Sequence, residues 1–294
     1  MTPIDQSYAV LQEVTARAGI PLADAEPIRL AENDLWRLSN GVVVRISRAG
    51  QDAAAVREVA VARWLASHGV SAVRPLSVEQ PVWAKGRPAT FWEELPPHRP
   101  GTEADLAPLL RQLHQLPVPD GFELGNLDPF VRIPERLTVA LSLNEDDRNF
   151  LLTRLEQLRS QWQRLPQRQR LCVIHGDAWA GNCIVTADGT RYLMDFERTA
   201  LGQREWDLTS TAIALDTFGS LPEHRYDQYC DAYGYDVRTW SGYHVMRDVR
   251  ELRLVTFALQ IADQNPDAIE QAHHRLACVR GLRGPRPWHW SAVA

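Results

Sequence analysis

The most informative stretch of the sequence reads HGDAWAGN at residues 175–182 and is followed by DFE at residues 195–197. Three short apolar runs flank these polar segments, at residues 171–174, 183–186 and 192–194. Asp188 and Gly189, between the second and third runs, favour a tight hairpin turn. We therefore predict three short strands, with the chemically informative residues at their ends.

The part of the chain before this region is rich in strand patterns. Residues 28–46 alternate in the strand period and contain Asn40-Gly41, which predicts a two-residue hairpin loop. Apolar runs on either side of Ala84–Arg87 predict a second hairpin. These patterns indicate a small antiparallel sheet near the amino terminus.

Helical spacing predicts most of the other elements, at residues 8–18, 52–68, 103–115, 145–165, 205–218, 222–233 and 245–263. The prolines and the glycine within residues 96–101 are expected to break any regular element, so we place a lobe boundary there. The two predicted lobes are residues 1–95 and 96–294.

Composition excludes several classes of protein. With 294 residues, of which 45% are hydrophobic, the chain can bury one large core or two lobes. Its net charge of -5 gives no basic field that would attract nucleic acid or an anionic membrane. Four widely separated cysteines predict neither a zinc site nor a disulfide framework. The amino terminus lacks a secretory pattern and no long apolar run is present, so we expect a cytoplasmic protein.

The two polar segments resemble the H-G-D-x-x-x-x-N and D-x-[DE] motifs of the aminoglycoside phosphotransferase and choline kinase group, which is related in fold to protein kinases. The likeness runs from the hairpin at Asn40 to the helix around Glu251 and includes Trp206–Leu208 and the helix end at Leu113-His114. It implies a two-lobed α+β fold. A small antiparallel sheet lobe and a larger, mostly helical lobe would hold a nucleotide between them.

The resemblance also gives the motif residues their expected roles. Phosphoryl transfer passes through a loose transition state, so the protein chiefly holds the donor, the acceptor and the metal in line. Asp177 is expected to accept the proton of the acceptor hydroxyl. Asn182 and Asp195 are expected to bind Mg²⁺, which prefers hard oxygen ligands and keeps water and phosphate oxygens in its other positions.

Three further polar residues have structural or open roles. By the same resemblance, His175 is expected to brace the catalytic loop rather than to act as a base. Asp207 is expected to accept hydrogen bonds from the backbone of that loop. The role of Glu197 is left open: its carboxylate either approaches the metal, or is solvated, or braces the loop.

The sheet lobe is expected to hold the α- and β-phosphates through a cation on its third strand, paired with a helix carboxylate. Val42–Ile46 offers Arg45 and the next helix offers Glu58, a departure from the usual lysine. Of the 32 lysines and arginines only Lys85 is a lysine, and it lies in a hairpin turn, so no lysine can substitute. A guanidinium can bind phosphate and carboxylate together through its fork. The alternative is that Arg45 is a solvated strand residue.

Other nucleotide contacts are inferred from position. Residues 30–34 contain no glycine, and the resemblance to enzymes that lack a glycine-rich loop implies that Asn33 and nearby backbone amides cover the phosphates. The base of ATP or GTP is expected to bind the backbone of residues 91–95, including Glu93 and Leu95.

The expected function is transfer of the γ-phosphate of ATP or GTP to a hydroxyl of an aminoglycoside-like antibiotic or a related compound, which would link the protein to antibiotic resistance. One alternative is a metabolite kinase that acts on an amino alcohol, a sugar or homoserine. Another is a catalytically silent nucleotide-binding protein, suggested only by Arg45. Polar and aromatic residues after Asp207 are candidates for an acceptor pocket, or else for a solvated helical face: Asp227, Asp231, Asp236, Trp240, Tyr243, Asp248 and Glu251.

Overall fold

The computed structural model describes residues 2–166 and 171–293. The chain falls into two compact units, the first comprising Met1–Gly125 and Val173–Leu201 and the second Asn126–Cys172 and Gly202–Ala294. The lobe boundary predicted between residues 95 and 96 stays a prediction.

A five-stranded antiparallel sheet dominates the first unit. Its strands are β1 (Glu26–Leu30), β2 (Asp34–Leu38), β3 (Val42–Ile46), β4 (Val82–Ala84) and β5 (Arg87–Glu93), in the order β1-β2-β3-β5-β4. Alternate residues of β3 are buried, and the side chains of Val43 and Arg45 on the opposite face are partly exposed. A strand presents successive side chains to opposite faces, so this sheet has two distinct surfaces.

Two helices cover the sheet. Helix α1 (Pro3–Ala18) begins earlier than predicted, because Thr2 and Asp5 form a capping box with Pro3 in the first turn. It packs on the buried face, where the indole nitrogen of Trp36 donates to Ser7 at 2.9 Å. Helix α2 (Asp52–Ser67) lies against β5.

The two hairpins differ in their agreement with the sequence prediction. Between β4 and β5, Ala84 pairs with Arg87, which confirms the predicted second hairpin; its two loop residues, Lys85 and Gly86, have φ values of 49° and 74°. Between β2 and β3, Leu38 pairs with Val42, so the loop has three residues and the predicted two-residue loop is wrong. Only Gly41 has a positive φ there, whereas the two-residue turn needs positive φ at both central residues.

Short strands complete the first unit. They are β6 (His98–Pro100), β7 (Cys172–Ile174), β8 (Cys183–Thr186), β9 (Arg191–Leu193) and β10 (Ala200–Gly202); β6, β8 and β9 form one sheet, and β7 pairs with β10. The expectation that residues 96–101 contain no regular element is wrong, since β6 lies there. This strand is at the edge of its sheet, where proline is tolerated. Helix α3 (Glu103–Leu113) packs on β9.

The second unit is helical. Its helices are α4 (Ile133–Val139), α5 (Glu145–Gln163), α6 (Glu205–Asp216), α7 (Glu223–Tyr233), α8 (Tyr243–Ala262) and α9 (Ile269–Val279). The mostly buried α8 packs against α4, α5, α6 and α9. Neither α4 nor α9 was predicted. Among residues 2–166 and 171–293, no helix has both the length and the apolar character that crossing a membrane requires.

Candidate functional site

The loop after β7 carries the first motif and ends in a turn of 3₁₀ helix, Ala180–Asn182, that leads into β8. Gly176 has a φ of 83°, and a Cβ atom there would collide with the carbonyl oxygen of Arg198, so the position requires glycine. The side-chain nitrogen of Asn182 donates to the carbonyl oxygen of Asp177 at 2.9 Å. This bond closes the loop and leaves the amide oxygen of Asn182 as the atom that can bind a cation.

The second motif follows β9 and is tied to the first through Met194. The amide of Met194 donates to the carbonyl oxygen of Asn182 at 3.1 Å. Its own carbonyl oxygen lies 2.9 Å from Nε2 of His175, which must carry the proton because a carbonyl only accepts. The ring of buried His175 also lies 5.7 Å from that of Phe196. His175 therefore has the position of a brace between the two motifs.

Arg45 lies at the centre of a cluster of three carboxylates. Its Nη1 is 2.5 Å from Oε1 of Glu58 and 3.3 Å from Oδ1 of Asp195. Its Nη2 is 2.8 Å from Oε2 of Glu197. The Arg45 side chain is only 12% exposed and that of Glu58 only 5%. Arg45 is thus not a solvated strand residue, because β3, α2 and the second motif all contribute to the surroundings of its guanidinium.

The cluster has more negative than positive charge. Burial, together with Asp195 and Glu197, raises the pKa of Glu58 to about 7, although Arg45 acts in the opposite direction. Burial and Asp195 likewise raise the pKa of Glu197. Burial acts to lower the pKa of Arg45, but the three carboxylates outweigh it and the pKa is raised. A further cation beside these residues would relieve the repulsion between them.

Asn182 and Asp195 fit the expected magnesium ion by their chemistry. An amide oxygen and a carboxylate oxygen are hard ligands of the kind that Mg²⁺ takes. In the part of the chain that the structure describes, no three His, Cys, Asp or Glu side chains form a ready metal cage. A site with two protein ligands, completed by phosphate oxygens and water, suits magnesium better than an all-protein cage.

The other residues predicted to contact nucleotide are not members of the carboxylate cluster. Asn33 is in the loop between β1 and β2, Glu93 ends β5, and Leu95 follows it. The amide of Glu93 donates to the carbonyl oxygen of Arg74 at 2.9 Å, and that of Glu94 to Gly41 at 2.8 Å. A base that binds residues 93–95 must therefore use Leu95 or the carbonyl groups.

Comparison with known proteins gives the family. The model of a phosphotransferase enzyme family, APH, matches residues 24–249. The chain belongs to this family. No curated protein sequence matches the chain.

Solved structures have the same fold as this phosphotransferase. A choline/ethanolamine kinase family protein from Mesorhizobium loti is 19% identical, with 98% of this chain and 97% of that chain covered and a TM-score of 0.68. Spectinomycin phosphotransferase APH(9)-Ia, solved with ADP and spectinomycin, is 14% identical over 95% and 96% of the two chains, with a TM-score of 0.66. Choline kinase LicA from Streptococcus pneumoniae is 15% identical over 93% and 99%, with a TM-score of 0.64.

The family and the fold confirm the sequence predictions of a small-molecule phosphotransferase and of an α+β, kinase-like architecture. The sequence did not reveal two features of this phosphotransferase. Glu197 is bound by Arg45, and its carbonyl oxygen accepts from Nη1 of Arg57 at 2.9 Å. Trp179, within the first motif, is 56% exposed. The only sequence signal for the exposed Trp179 was the presence of an indole in a loop of polar and small residues.

The carboxylates suggested for an acceptor pocket lie in the second unit, and two of them are bound by arginine. Arg286 holds buried Glu251 through Nε and Nη2 at 2.8 and 2.6 Å, and Asp248 accepts from Arg154 at 2.7 Å. The cavity beside them has a volume of only about 30 Å³, enough for a water molecule and not for a sugar. Asp248 and Glu251 are therefore held by arginines rather than forming a free acidic surface, and this cavity is too small for an acceptor.

Proposed function

We propose that this phosphotransferase transfers the γ-phosphate of ATP or GTP to a hydroxyl of a small molecule, with Asp177 as the proton acceptor. The observation that carries the proposal is the linked pair of motifs: Asn182 bonds to the backbone of Asp177, and Met194, next to Asp195, bonds to the backbone of Asn182. The proposed proton acceptor and the proposed metal ligands thus belong to one hydrogen-bonded framework.

The reaction follows from these positions. The Asp177 carboxylate takes the hydroxyl proton as the acceptor oxygen bonds to the γ-phosphorus, and the bond to the β-phosphate oxygen breaks to release the nucleoside diphosphate. Asn182 and Asp195 would hold Mg²⁺, which supplies charge neutralisation to the phosphates when bound. Arg45, kept in place by Glu58, is proposed to orient the α- and β-phosphates.

The remaining nucleotide contacts are proposed from the positions of the residues on the five-stranded sheet. Asn33 is proposed to cover the phosphates, because its loop joins two strands of the sheet that carries Arg45. Glu93 and Leu95 are proposed to bind the base through the backbone groups that the sheet leaves unused. A nucleotide donor is consistent with a cytoplasmic location.

An aminoglycoside-like antibiotic or a related hydroxylated compound is the first proposed acceptor. The similar structures include a spectinomycin phosphotransferase and a choline kinase, and each comparison covers more than 90% of both chains. The second proposed acceptor class is therefore a metabolite such as an amino alcohol, a sugar or homoserine.

A nucleotide-consumption screen tests the proposal. ATP and GTP are each offered with aminoglycosides, spectinomycin, choline, ethanolamine, sugars and homoserine, and products are weighed by mass spectrometry. Gain of one phosphate by an acceptor is the expected result. If the protein binds nucleotide but phosphorylates no acceptor and does not hydrolyse the nucleotide, the silent-binder alternative replaces the proposal.

Trp179 is expected to contribute to acceptor binding. It lies two residues after Asp177, which must reach the acceptor hydroxyl, and its ring lies so close to Gly181 that no Cβ atom fits there. The indole is therefore held in place with its exposed part open to a ligand. Trp179→Ala is expected to raise the acceptor KM by roughly 3- to 10-fold, the loss expected from removing one aromatic contact.

The matched control for this prediction is Trp83→Ala, because Trp83 is 43% exposed and lies on β4. Steady-state kinetics with the acceptor found in the screen give the acceptor KM, and calorimetry gives the ADP affinity, so effects on the two substrates are measured separately. ADP affinity should be unchanged in both variants. An unchanged acceptor KM in Trp179→Ala would rule out the contact.

A further inference from the structure

Glu197 is anchored to β3 and α2 through both its side chain and its backbone. Nη2 of Arg45 on β3 donates to its carboxylate at 2.8 Å, and Nη1 of Arg57 on α2 donates to its carbonyl oxygen at 2.9 Å. Arg57 directly precedes Glu58, the other carboxylate partner of Arg45. Arg57 and Glu58, which are adjacent residues of α2, thus contact Glu197 and Arg45 respectively.

Arg45 reaches its two glutamate partners through different nitrogens. Nη1 serves Glu58 and Nη2 serves Glu197. A guanidinium presents its donors in a fixed planar fork, so it can hold two carboxylates at a set separation. A lysine donates from a single nitrogen, so it would contact both glutamates only if their carboxylates moved from the places that the two guanidinium nitrogens give them. The fork of the Arg45 guanidinium therefore fits the observed positions of the Glu58 and Glu197 carboxylates.

The same contacts affect Asp195. This residue has a φ of 66°, in the left-handed region, which is sparsely populated by residues other than glycine although aspartate enters it more readily than most. Its Oδ1 lies 3.3 Å from Nη1 of Arg45, and Glu197 fixes the chain two residues further on. An anchored Glu197 thus helps to hold the Asp195 backbone in an otherwise unfavourable conformation.

We propose that Glu197 is a positioning residue that is paired with Arg45. It keeps the Asp195 carboxylate and the Arg45 guanidinium in fixed positions relative to each other and does not bind the metal itself. The inference rests on the proposed function only in taking Asp195 as a ligand of Mg²⁺. It gives a role to arginine where the family resemblance leads one to expect lysine: two separate nitrogens of the guanidinium hold Glu58 and Glu197 in their observed places, and the single nitrogen of an ammonium group does not reproduce that geometry.

The test is a double-mutant cycle on Arg45→Lys and Glu197→Gln, with ADP and Mg²⁺ as the probes. Calorimetry gives the ADP dissociation constant, and a Mg²⁺ titration gives the concentration needed for half-maximal ADP binding. Arg45→Lys is expected to weaken ADP binding by ~30-fold, since it loses the fork and leaves the Glu197 charge unpaired near the phosphates. Glu197→Gln alone is expected to cost only ~3-fold, because an amide oxygen still accepts from Arg45.

The double variant decides between the roles of Glu197. We expect it to bind ADP ~5-fold more tightly than Arg45→Lys, because glutamine removes the unpaired charge. If Glu197 binds the metal, the double variant will instead bind more weakly than Arg45→Lys and need more Mg²⁺. If Glu197 is merely solvated, Glu197→Gln will change neither background. Either of these results overturns the inference.

Two controls keep the cycle interpretable. The exposed pair of Arg17 and Glu13 on α1 provides matched substitutions, Arg17→Lys and Glu13→Gln, that should leave ADP binding unchanged. If Arg45→Lys fails to fold in thermal unfolding, Glu197→Ala replaces it: we expect ~10-fold weaker ADP binding at an unchanged Mg²⁺ requirement. A raised Mg²⁺ requirement or unaltered ADP binding contradicts the inference. A parent protein that binds no nucleotide contradicts the proposed function as well.

Discussion

Asp177→Asn is expected to lower turnover by ~100-fold or more while nucleotide binding survives. Asparagine keeps the size and polarity of the side chain but cannot take a proton. The loop closure should persist, because Asn182 bonds to the backbone oxygen of Asp177 and not to its side chain. The defect is therefore confined to proton transfer from the acceptor hydroxyl.

The measurement compares kcat with the acceptor identified in the screen and the ADP dissociation constant. Asp146→Asn is the matched control, because Asp146 is an exposed carboxylate in the first turn of α5. Both variants should bind ADP like the parent, and only Asp177→Asn should lose turnover. Near-normal turnover by Asp177→Asn would remove Asp177 from its proposed role.

Elements with strong local signals could be predicted from the sequence. The hairpin at Lys85-Gly86 lies where the apolar runs on either side of it predict a turn, and β8 lies where its apolar run predicts. The loop at Asn40-Gly41 carries a similar signal but has one more residue, because the pairing of Leu38 with Val42 sets the register of β2 and β3. Loop chemistry alone does not determine that register.

Elements that depend on distant partners could not be predicted in the same way. Strand β6 has three residues and exists through pairing with β8, more than 80 positions away. The sequence interpretation overlooked helix α9, although its apolar residues recur with helical spacing, and it did not indicate that Arg275 is buried and donates to the carbonyl oxygens of Leu254 and Ser291 at 2.9 and 2.5 Å. Burial of an arginine depends on such distant carbonyl partners, which local spacing does not reveal.

The candidate site shows the same division. Motif spacing indicated Asp177, Asn182 and Asp195, and strand and helix order indicated the pairing of Arg45 with Glu58. Spacing could not decide the role of Glu197, since its partner Arg45 lies 152 positions away in the sequence. Only the folded chain shows that the fork of one guanidinium spans two glutamates.

Asp195→Ala is expected to lower turnover by ~1,000-fold or more and to weaken Mg²⁺-dependent nucleotide binding, because the phosphates lose the counter-ion that this carboxylate would hold. Two opposing effects act on stability. Removing one of three carboxylates beside Arg45 relieves repulsion, and the pKa of Glu58 should fall below about 7 because Asp195 helps to raise it. Alanine at the left-handed φ of Asp195 costs about 1 kcal/mol in return.

Asp195→Asn separates these effects, because asparagine adopts left-handed φ more readily than alanine and keeps the side-chain volume. We expect Asp195→Asn to be at least as stable as the parent in thermal unfolding, yet to require far more Mg²⁺ for ADP binding and to turn over slowly. Loss of activity without loss of stability is what a carboxylate kept for metal binding predicts, since its repulsion from Glu58 and Glu197 offsets its ion pair with Arg45. If both variants instead bind Mg²⁺-ADP and turn over like the parent, Asp195 is not the metal ligand, and the excess negative charge around Arg45 needs another explanation.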